Sequence, residues 1–243
     1  MDGKAVEKLS GGVIASVPAQ TGSVLVVVRA DGTETIVKKS IADGRNVLGL
    51  LDGSCTVKAV DNAKPFADTE NHWAREAVAF ASSHELFSGT AANTFSPNAP
   101  MNRAMLATVL CRLEDASATG SHDFHDVPDG MWYSGAVAWA SEAGIVSGTG
   151  NGFDPNGNVT REQLAAMLCR YAGTLGLDTA ANGDLTRFSD SSNTSDWAKD
   201  AMRWAVGSGL ISGKAGGVID PDGTATRAEV AVILQRMVRL IVQ

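Results

Sequence analysis

Thr226-Arg227-Ala228-Glu229 lies between a Pro/Gly turn, Asp220-Pro221-Asp222-Gly223, and the apolar run Val230-Ala231-Val232-Ile233-Leu234. A Thr followed three residues later by Glu, just ahead of an apolar run, is a capping box. The hydroxyl accepts from the Glu N–H and the carboxylate reaches back to the Thr N–H. The pattern predicts a helix starting at Thr226, with Arg227 in its first turn. A cation there faces the positive end of the helix dipole, which is mildly unfavourable unless an anion joins it. Thr160-Arg161-Glu162-Gln163 repeats the pattern with Gln in the Glu place. Asn102-Arg103-Ala104-Met105 keeps the cap and the Arg, but Met105 cannot complete the box.

Around these three helix starts the chain repeats itself from Phe66 onward, and such a period outranks local readings. Phe66-Ala67-Asp68 matches Phe124-His125-Asp126 and Phe188-Ser189-Asp190. Trp73 matches Trp132 and Trp197, and Ser88-Gly89 matches Ser147-Gly148 and Ser212-Gly213. Phe95-Ser96-Pro97 matches Phe153-Asp154-Pro155 and Ile219-Asp220-Pro221. Trp to Gly is 16 residues and Pro to Arg is 6 residues in all three copies. The one insertion, between Arg161 and Phe188, falls in the polar loop from Gly173 to Leu185, where added length is tolerated.

Each copy reads as helix, loop, helix. The first helices are expected over Trp73 to Leu86, Trp132 to Ile145 and Trp197 to Leu210, with Ala-rich faces at helical spacing and Gly-containing stops. The second helices begin at the Arg motifs. One such pair cannot bury its apolar face alone, whereas three can, around a common axis or as a short solenoid. Residues 1–62 read instead as β. The run Val24 to Val28, the turn Asp31-Gly32 and Thr35 to Lys38 form one expected hairpin; Val47 to Leu51, Asp52-Gly53 and Thr56 to Val60 form another. The expected fold class is therefore mainly α: three tandem helix-loop-helix repeats forming a pseudo-threefold unit, plus a small N-terminal antiparallel β domain of four or five strands. The expected boundaries are 1–62 for the β domain or spacer, then 63–119, 120–183 and 184–243 for the copies.

Composition narrows the functional classes. The chain has 243 residues, 44% hydrophobic and 19% charged, with a formal net charge of −7. That balance argues against a nucleic-acid binder, which needs a basic stripe. No run approaches the ~18–20 apolar residues of a membrane helix. Met1-Asp2-Gly3-Lys4 opens no signal peptide, which fits either a cytoplasmic protein or part of a secreted one. Cys55, Cys111 and Cys169 form neither a disulfide framework nor a zinc site and read as small buried apolar residues. His122-Asp123-Phe124-His125-Asp126 reads as a surface turn rather than a metal site. The loops at Asp154 and Asp220 read as Asx turns rather than calcium loops. No nucleophile–base arrangement occurs, so neither an enzyme nor a cofactor or metal is expected.

The Phe-x-Asp start, the Trp, the Gly-[Ile/Leu]-[Ile/Val]-x-Gly stretch (Gly144 to Gly148 and Gly209 to Gly213), the Phe-x-Pro turn and the Thr-Arg-Ala-Glu helix start together resemble the S-layer homology family. The resemblance covers residues 66 to about 240 as three tandem copies. It implies a non-enzymatic module that anchors a surface protein to the bacterial cell wall by binding secondary cell-wall polysaccharide, often a pyruvylated glycan, in grooves between copies. A monomer at the cell surface is the default expectation. Carried over by residue, the groove Arg falls on Arg103, Arg161 and Arg227, and the aromatic wall on Trp73, Trp132 and Trp197. The opening Asp falls on Asp68, Asp126 and Asp190, and the Gly that lets backbone approach the sugar on Gly89, Gly148 and Gly213. Copy one departs at Met105 and at Phe87-Ser88, and copy three at Ile219.

The chemistry of such a ligand suits these residue types. A ketal-linked pyruvate presents a carboxylate, which a guanidinium pairs bidentately. A helix start adds unpaired N–H groups and the positive dipole end. Each class has a plainer reading: Trp as core, Asp as a helix or turn cap, Arg as a solvated charge. The alternative function is a protein–protein assembly module of a surface layer without glycan contact. The lost capping box ranks the Arg103 site as the weakest of the three.

Overall fold

The computed structural model describes residues 13–19, 23–51, 55–150 and 152–242. Six strands come first: β1 Val13–Pro18, β2 Ser23–Val28, β3 Glu34–Ile36, β4 Ser40–Ala42, β5 Asn46–Leu51 and β6 Thr56–Asp61. They form two three-stranded antiparallel sheets, in the orders β1-β5-β4 and β3-β2-β6. The β2–β3 hairpin is present in the expected register, with Val26 opposite Ile36. Gly32 at φ 82° supplies the left-handed turn residue, and the Asp31 carboxylate accepts from Thr33 N–H at 2.8 Å.

The second expected hairpin is not formed. β5 runs between β1 and β4, while β6 pairs with β2 in the other sheet. Gly49 explains part of this arrangement. A Cβ there would lie 2.5 Å from Leu25 Cδ2, so the glycine lets β2 of one sheet press its Leu onto β5 of the other. Leu25, Val47 and Leu51 are the buried centre, with Ala15, Val17, Val27, Val37 and Val57 packed around them. The Asp52-Gly53 turn lies outside the described residues.

Six α-helices follow: α1 Arg75–Ser83, α2 Arg103–Glu114, α3 Ser134–Glu142, α4 Arg161–Thr174, α5 Lys199–Gly207 and α6 Arg227–Ile241. The expected mainly α class is corrected. The described residues are 35% helical and 18% extended, with two small sheets. The shortfall lies in α1, α3 and α5, each nine residues long. Each begins two residues after its Trp, which sits in the preceding turn. They end early in left-handed residues, Glu85, Gly144 and Gly209 at φ 59°, 69° and 73°. Leu86 N–H donates back to the Ala81 carbonyl at 2.9 Å, and Ile145 N–H to Ala140 at 2.8 Å, the Schellman stop.

Two compact units result, residues 1–96 with 234–243, and residues 97–233. In the first, the β region is tied to the end of α1. Ser40 Oγ and His84 Nε2 share a hydrogen bond at 3.0 Å, Asn62 Nδ2 donates to the Ser83 carbonyl at 2.6 Å, and Lys38 and Lys64 both pair with Glu85 at 3.3 Å. In the second, α3 packs against α2 and α5 against α4 through buried alanines such as Ala136, Ala140 and Ala205. The Tyr171 hydroxyl donates to Glu114 at 2.8 Å, linking α4 to α2.

The segments between Pro and Arg close on one another within that second unit. Met101 N–H donates to Ala225, Ala225 N–H to Val159, and Val159 N–H to Met101, at 2.9, 2.9 and 2.8 Å. Antiparallel bridges flank these bonds at Pro100–Thr226, Asn102–Asn158 and Thr160–Thr224. Met101, Val159 and Ala225 are fully buried, so the three helix starts emerge from one dry, hydrogen-bonded centre.

Candidate functional site

The capping chemistry predicted for the helix starts is present. Asn102 Oδ1 accepts from Met105 N–H at 2.8 Å, Thr160 and Gln163 form a full capping box, and Thr226 and Glu229 exchange both bonds. The first two helical N–H groups, expected to be unpaired, are not. Arg103 and Ala104 donate to Gly157 and Pro155, Arg161 and Glu162 to Gly223 and Pro221, and Arg227 and Ala228 to Ala99 and Pro97. Each helix start is therefore seated on the Pro turn of another copy. Its backbone donors are occupied there.

Those side chains are deeply set. Arg103, Arg161 and Arg227 are 6%, 4% and 5% exposed, so the solvated-charge reading does not hold. Arg103 Nε donates to the Phe153 carbonyl at 2.6 Å and Nη2 to the Ser147 carbonyl at 2.8 Å. Arg161 repeats this on the third copy, with Nε to Ile219 and Nη2 to Ser212, both at 2.8 Å. Each guanidinium thus clamps both ends of one loop, 147–153 or 212–219, in the copy that follows its own. Arg103 also lies over the Phe153 ring, 4.7 Å from its centroid. Arg161 has an addition: Nη1 pairs with Glu229 Oε1 at 3.2 Å.

The opening Asp residues hold the same loops from the inside. Asp68 accepts from Phe95 and Ser96 N–H, Asp126 from Phe153 and Asp154, and Asp190 from Ile219 and Asp220, at 2.7–2.9 Å. Burial pushes these carboxyls up, but the two backbone donors outweigh it and hold each below its ordinary value. Ser96, Asp154 and Asp220, each just before its Pro, sit at φ 57°, 58° and 53°. The carboxylate secures that unusual backbone. The turn-capping reading of the Asp is thus present in the structure, although the turn lies 27 to 30 residues downstream rather than beside the Trp.

The three glycines are packing positions. A Cβ at Gly89, Gly148 or Gly213 would lie 2.7, 3.3 or 2.5 Å from Cε1 of Phe66, Phe124 or Phe188, the aromatic that opens the same copy. The loop therefore closes directly on that ring. Trp73, Trp132 and Trp197 are 67%, 61% and 58% exposed, so the core reading of the tryptophans does not hold. Each presents a broad aromatic face to solvent at the foot of a helix. Trp204, by contrast, is buried with its indole N–H on the Asp178 carbonyl at 3.1 Å. Of the cysteines, Cys111 is buried, Cys169 half-buried and Cys55 exposed, so the buried reading fails for Cys55. In the His122 cluster, His122 Nδ1 accepts from Phe124 N–H and Asp126 is engaged as above.

The sequence reading gave no role in the clamps to four residues. The exposed Ser147 and Ser212 supply the carbonyls that receive the Arg. Glu229, read only as a cap, is also an ion-pair partner. Arg170 reaches Ser147 Oγ at 3.4 Å and the Ile145 carbonyl at 3.5 Å. Its signal was available: an Arg stands nine residues after the motif Arg in every copy, at Arg112, Arg170 and Arg236.

Comparison with known proteins agrees with this threefold architecture. The S-layer homology domain profile matches residues 65–105, 123–165 and 187–231. The chain is 33% identical over 177 residues to an amylopullulanase of Thermoanaerobacterium thermosulfurigenes, covering 72% of this chain and 10% of that protein. It is 32% identical to the surface-layer 125 kDa protein of Lysinibacillus sphaericus, covering 68% of this chain and 14% of that one. It is 30% identical to the S-layer protein sap of Bacillus anthracis, covering 71% and 21%. The chain thus spans between 10% and 21% of the length of these relatives. With three consecutive matches on the three structural copies, the chain belongs to the S-layer homology family.

Proposed function

We propose that residues 66–240 form a non-catalytic anchoring module that binds secondary cell-wall polysaccharide, a pyruvylated glycan, and holds a larger surface protein to the bacterial envelope. S-layer homology repeats are binding and anchoring modules. Relatives as different as surface-layer proteins and an amylopullulanase share this region, which suits a module that confers attachment rather than chemistry. The observation that carries the glycan reading is the repeated loop. A buried guanidinium holds it by both ends, its Ser-Gly lies exposed, and each copy also carries an exposed Trp. An aromatic face stacks on a sugar ring, and a guanidinium pairs with a ketal carboxylate. One groove binds modestly, and linked grooves on a repetitive polymer gain about 10²–10⁴ through effective concentration.

Purified wall sacculi, with and without mild acid to remove ketals, test the reading. The chain is expected to co-sediment with native walls and to lose most of that binding after acid. Equal binding to acid-treated walls overturns the pyruvate assignment. Absence of binding to native walls favours the assembly alternative, for which the three exposed tryptophans are the available contacts.

A further inference from the structure

Two consecutive residues in the first turn of α4 reach into copy three. Arg161 clamps the loop 212–219, and Glu162 holds the turn that carries Trp197. Glu162 is buried and uses both carboxylate oxygens on one residue. Oε2 accepts from Ser195 N–H at 3.0 Å, and Oε1 accepts from the Ser195 hydroxyl at 2.9 Å. Ser195 opens the short 3₁₀ helix Asp196–Ala198, and its carbonyl accepts from Ala198 N–H at 2.9 Å. Trp197 is the central residue of that helix and is exposed. Bonds to a charged acceptor are about twice as strong as neutral ones. The positive dipole end of α4 favours the charge of Glu162 where it stands.

The sister copies lack this link by composition. The residue after the motif Arg is Ala104 in copy one and Ala228 in copy three, and an alanine side chain has no acceptor. Two residues ahead of Trp132 stands Gly130, which has no hydroxyl to donate. The turns at Trp73 and Trp132 carry short-range bonds: His72 Nδ1 accepts from Ala74 N–H at 3.2 Å, and Ser134 Oγ donates to the Met131 carbonyl at 2.9 Å. Yet α2 and α6 are seated on a neighbouring Pro turn just as α4 is. The helix start therefore does not require the carboxylate, and burying one is costly without its two bonds.

We infer that Glu162 is a positioning residue for glycan binding: from copy two it fixes the backbone of the turn that projects Trp197, so that this indole meets a sugar ring without first being ordered. The inference rests on the anchoring reading for the stacking role of Trp197. Ordering one side chain on binding weakens affinity about two- to tenfold, and a turn held in advance avoids that loss. Three tryptophans equivalent in sequence are thus unequal in support. Trp197 is set in place by a carboxylate that the sister copies do not possess.

Glu162→Ala tests this in the full chain, and Ala104 and Ala228 show that the position accepts alanine. NMR relaxation of the isotope-labelled amides reports the order of residues 195–197, with the Trp132 turn as internal reference. Co-sedimentation with purified sacculi reports affinity. Glu162→Ala is expected to loosen residues 195–197, to leave the Trp132 turn unchanged and to weaken sacculus binding about two- to tenfold. Glu162→Gln keeps one acceptor and is expected to fall between the two. Trp197→Ala is expected to weaken binding as well, and adding Glu162→Ala to it to cost nothing more, as a residue that acts through Trp197 requires. A turn equally ordered in Glu162→Ala overturns the inference. So does a Glu162→Ala loss that persists in full without Trp197, which marks a general structural effect. Trp197→Ala with undiminished wall binding removes the inference and leaves the anchor. A native chain that does not bind sacculi removes the anchoring reading and the inference with it.

Discussion

Arg103 and Arg161 stand at the same place in two copies and make the same two bonds to backbone, yet they differ in charge balance. Arg161 pairs with Glu229, and Arg103 has no ion pair among the described residues. The comparison teaches that a repeat motif can be read correctly in each copy while its ion pairing is decided by the copy next to it. Thr160-Arg161-Glu162-Gln163 looks conservative beside Thr226-Arg227-Ala228-Glu229, because Gln caps a helix as Glu does. The difference appears only across the interface, where one residue ends an ion pair and the other does not.

The largest expected effect tests that difference directly. Arg161→Ala removes two backbone clamps and the Arg161–Glu229 ion pair, leaving Glu229 with Lys214 at 3.7 Å, a loss of about 3–4 kcal/mol. Arg103→Ala removes the two clamps and the stacking on Phe153 but no ion pair, about 2–3 kcal/mol. Urea unfolding of both variants checks the ranking, and equal losses would mean that Glu229 adds nothing.

A second contrast lies at the end of the first helix. Copies two and three have Ala143-Gly144 and Ser208-Gly209 where copy one has His84-Glu85. Copy one uses those side chains to hold the β region. His84 is buried, and that burial pushes its pKa from 6.5 down to about 4. Between those values the unfolded chain binds a proton that the folded chain does not. Stability therefore falls as pH drops through this window, by up to roughly 3 kcal/mol. Thermal melts from pH 7 to 4 should show the loss, and His84→Asn should flatten it. An unchanged slope in the variant would remove His84 from the account.

The smallest effect concerns the glycines. Gly213→Ala places a Cβ 2.5 Å from the Phe188 ring, whereas Gly148→Ala places one 3.3 Å from Phe124. Overpacking predicts a loss of about 1–3 kcal/mol for the first and a smaller one for the second. Denaturation midpoints that reverse this order would show that the loop of copy three is the more yielding.

The parts legible in sequence were those governed by neighbours along the chain. Asn102, Thr160 and Thr226 cap helices because capping needs only three residues. Gly144 and Gly209 stop helices because a left-handed residue is a local demand. The clamp of Arg103 on Ser147 spans 44 residues, and no local pattern encodes it. The same holds for Asp68, whose partners lie 27 and 28 residues away. The first helices are expected to start at the Trp residues because the alanines that follow fit a helical period, whereas each Trp stands two residues ahead of its helix. The β5–β6 pairing failed for a related reason. A turn signal at Asp52-Gly53 suggests which strands follow one another, but it does not say that they share a sheet.

The closed circuit of Met101, Val159 and Ala225 is written in peptide groups only. Each gives one proton and receives one, whatever side chain it carries, and three different side chains do so here. Closure therefore places no constraint on what the copies display. A lineage can exchange Glu for Gln, or His for Ala, on the rim without loosening the hub. Three ancestral equivalents can thus become three specialised subsites with their common geometry preserved. A two-copy fragment would leave one donor and one acceptor of the circuit unmatched, so the number three is fixed even as the identities drift.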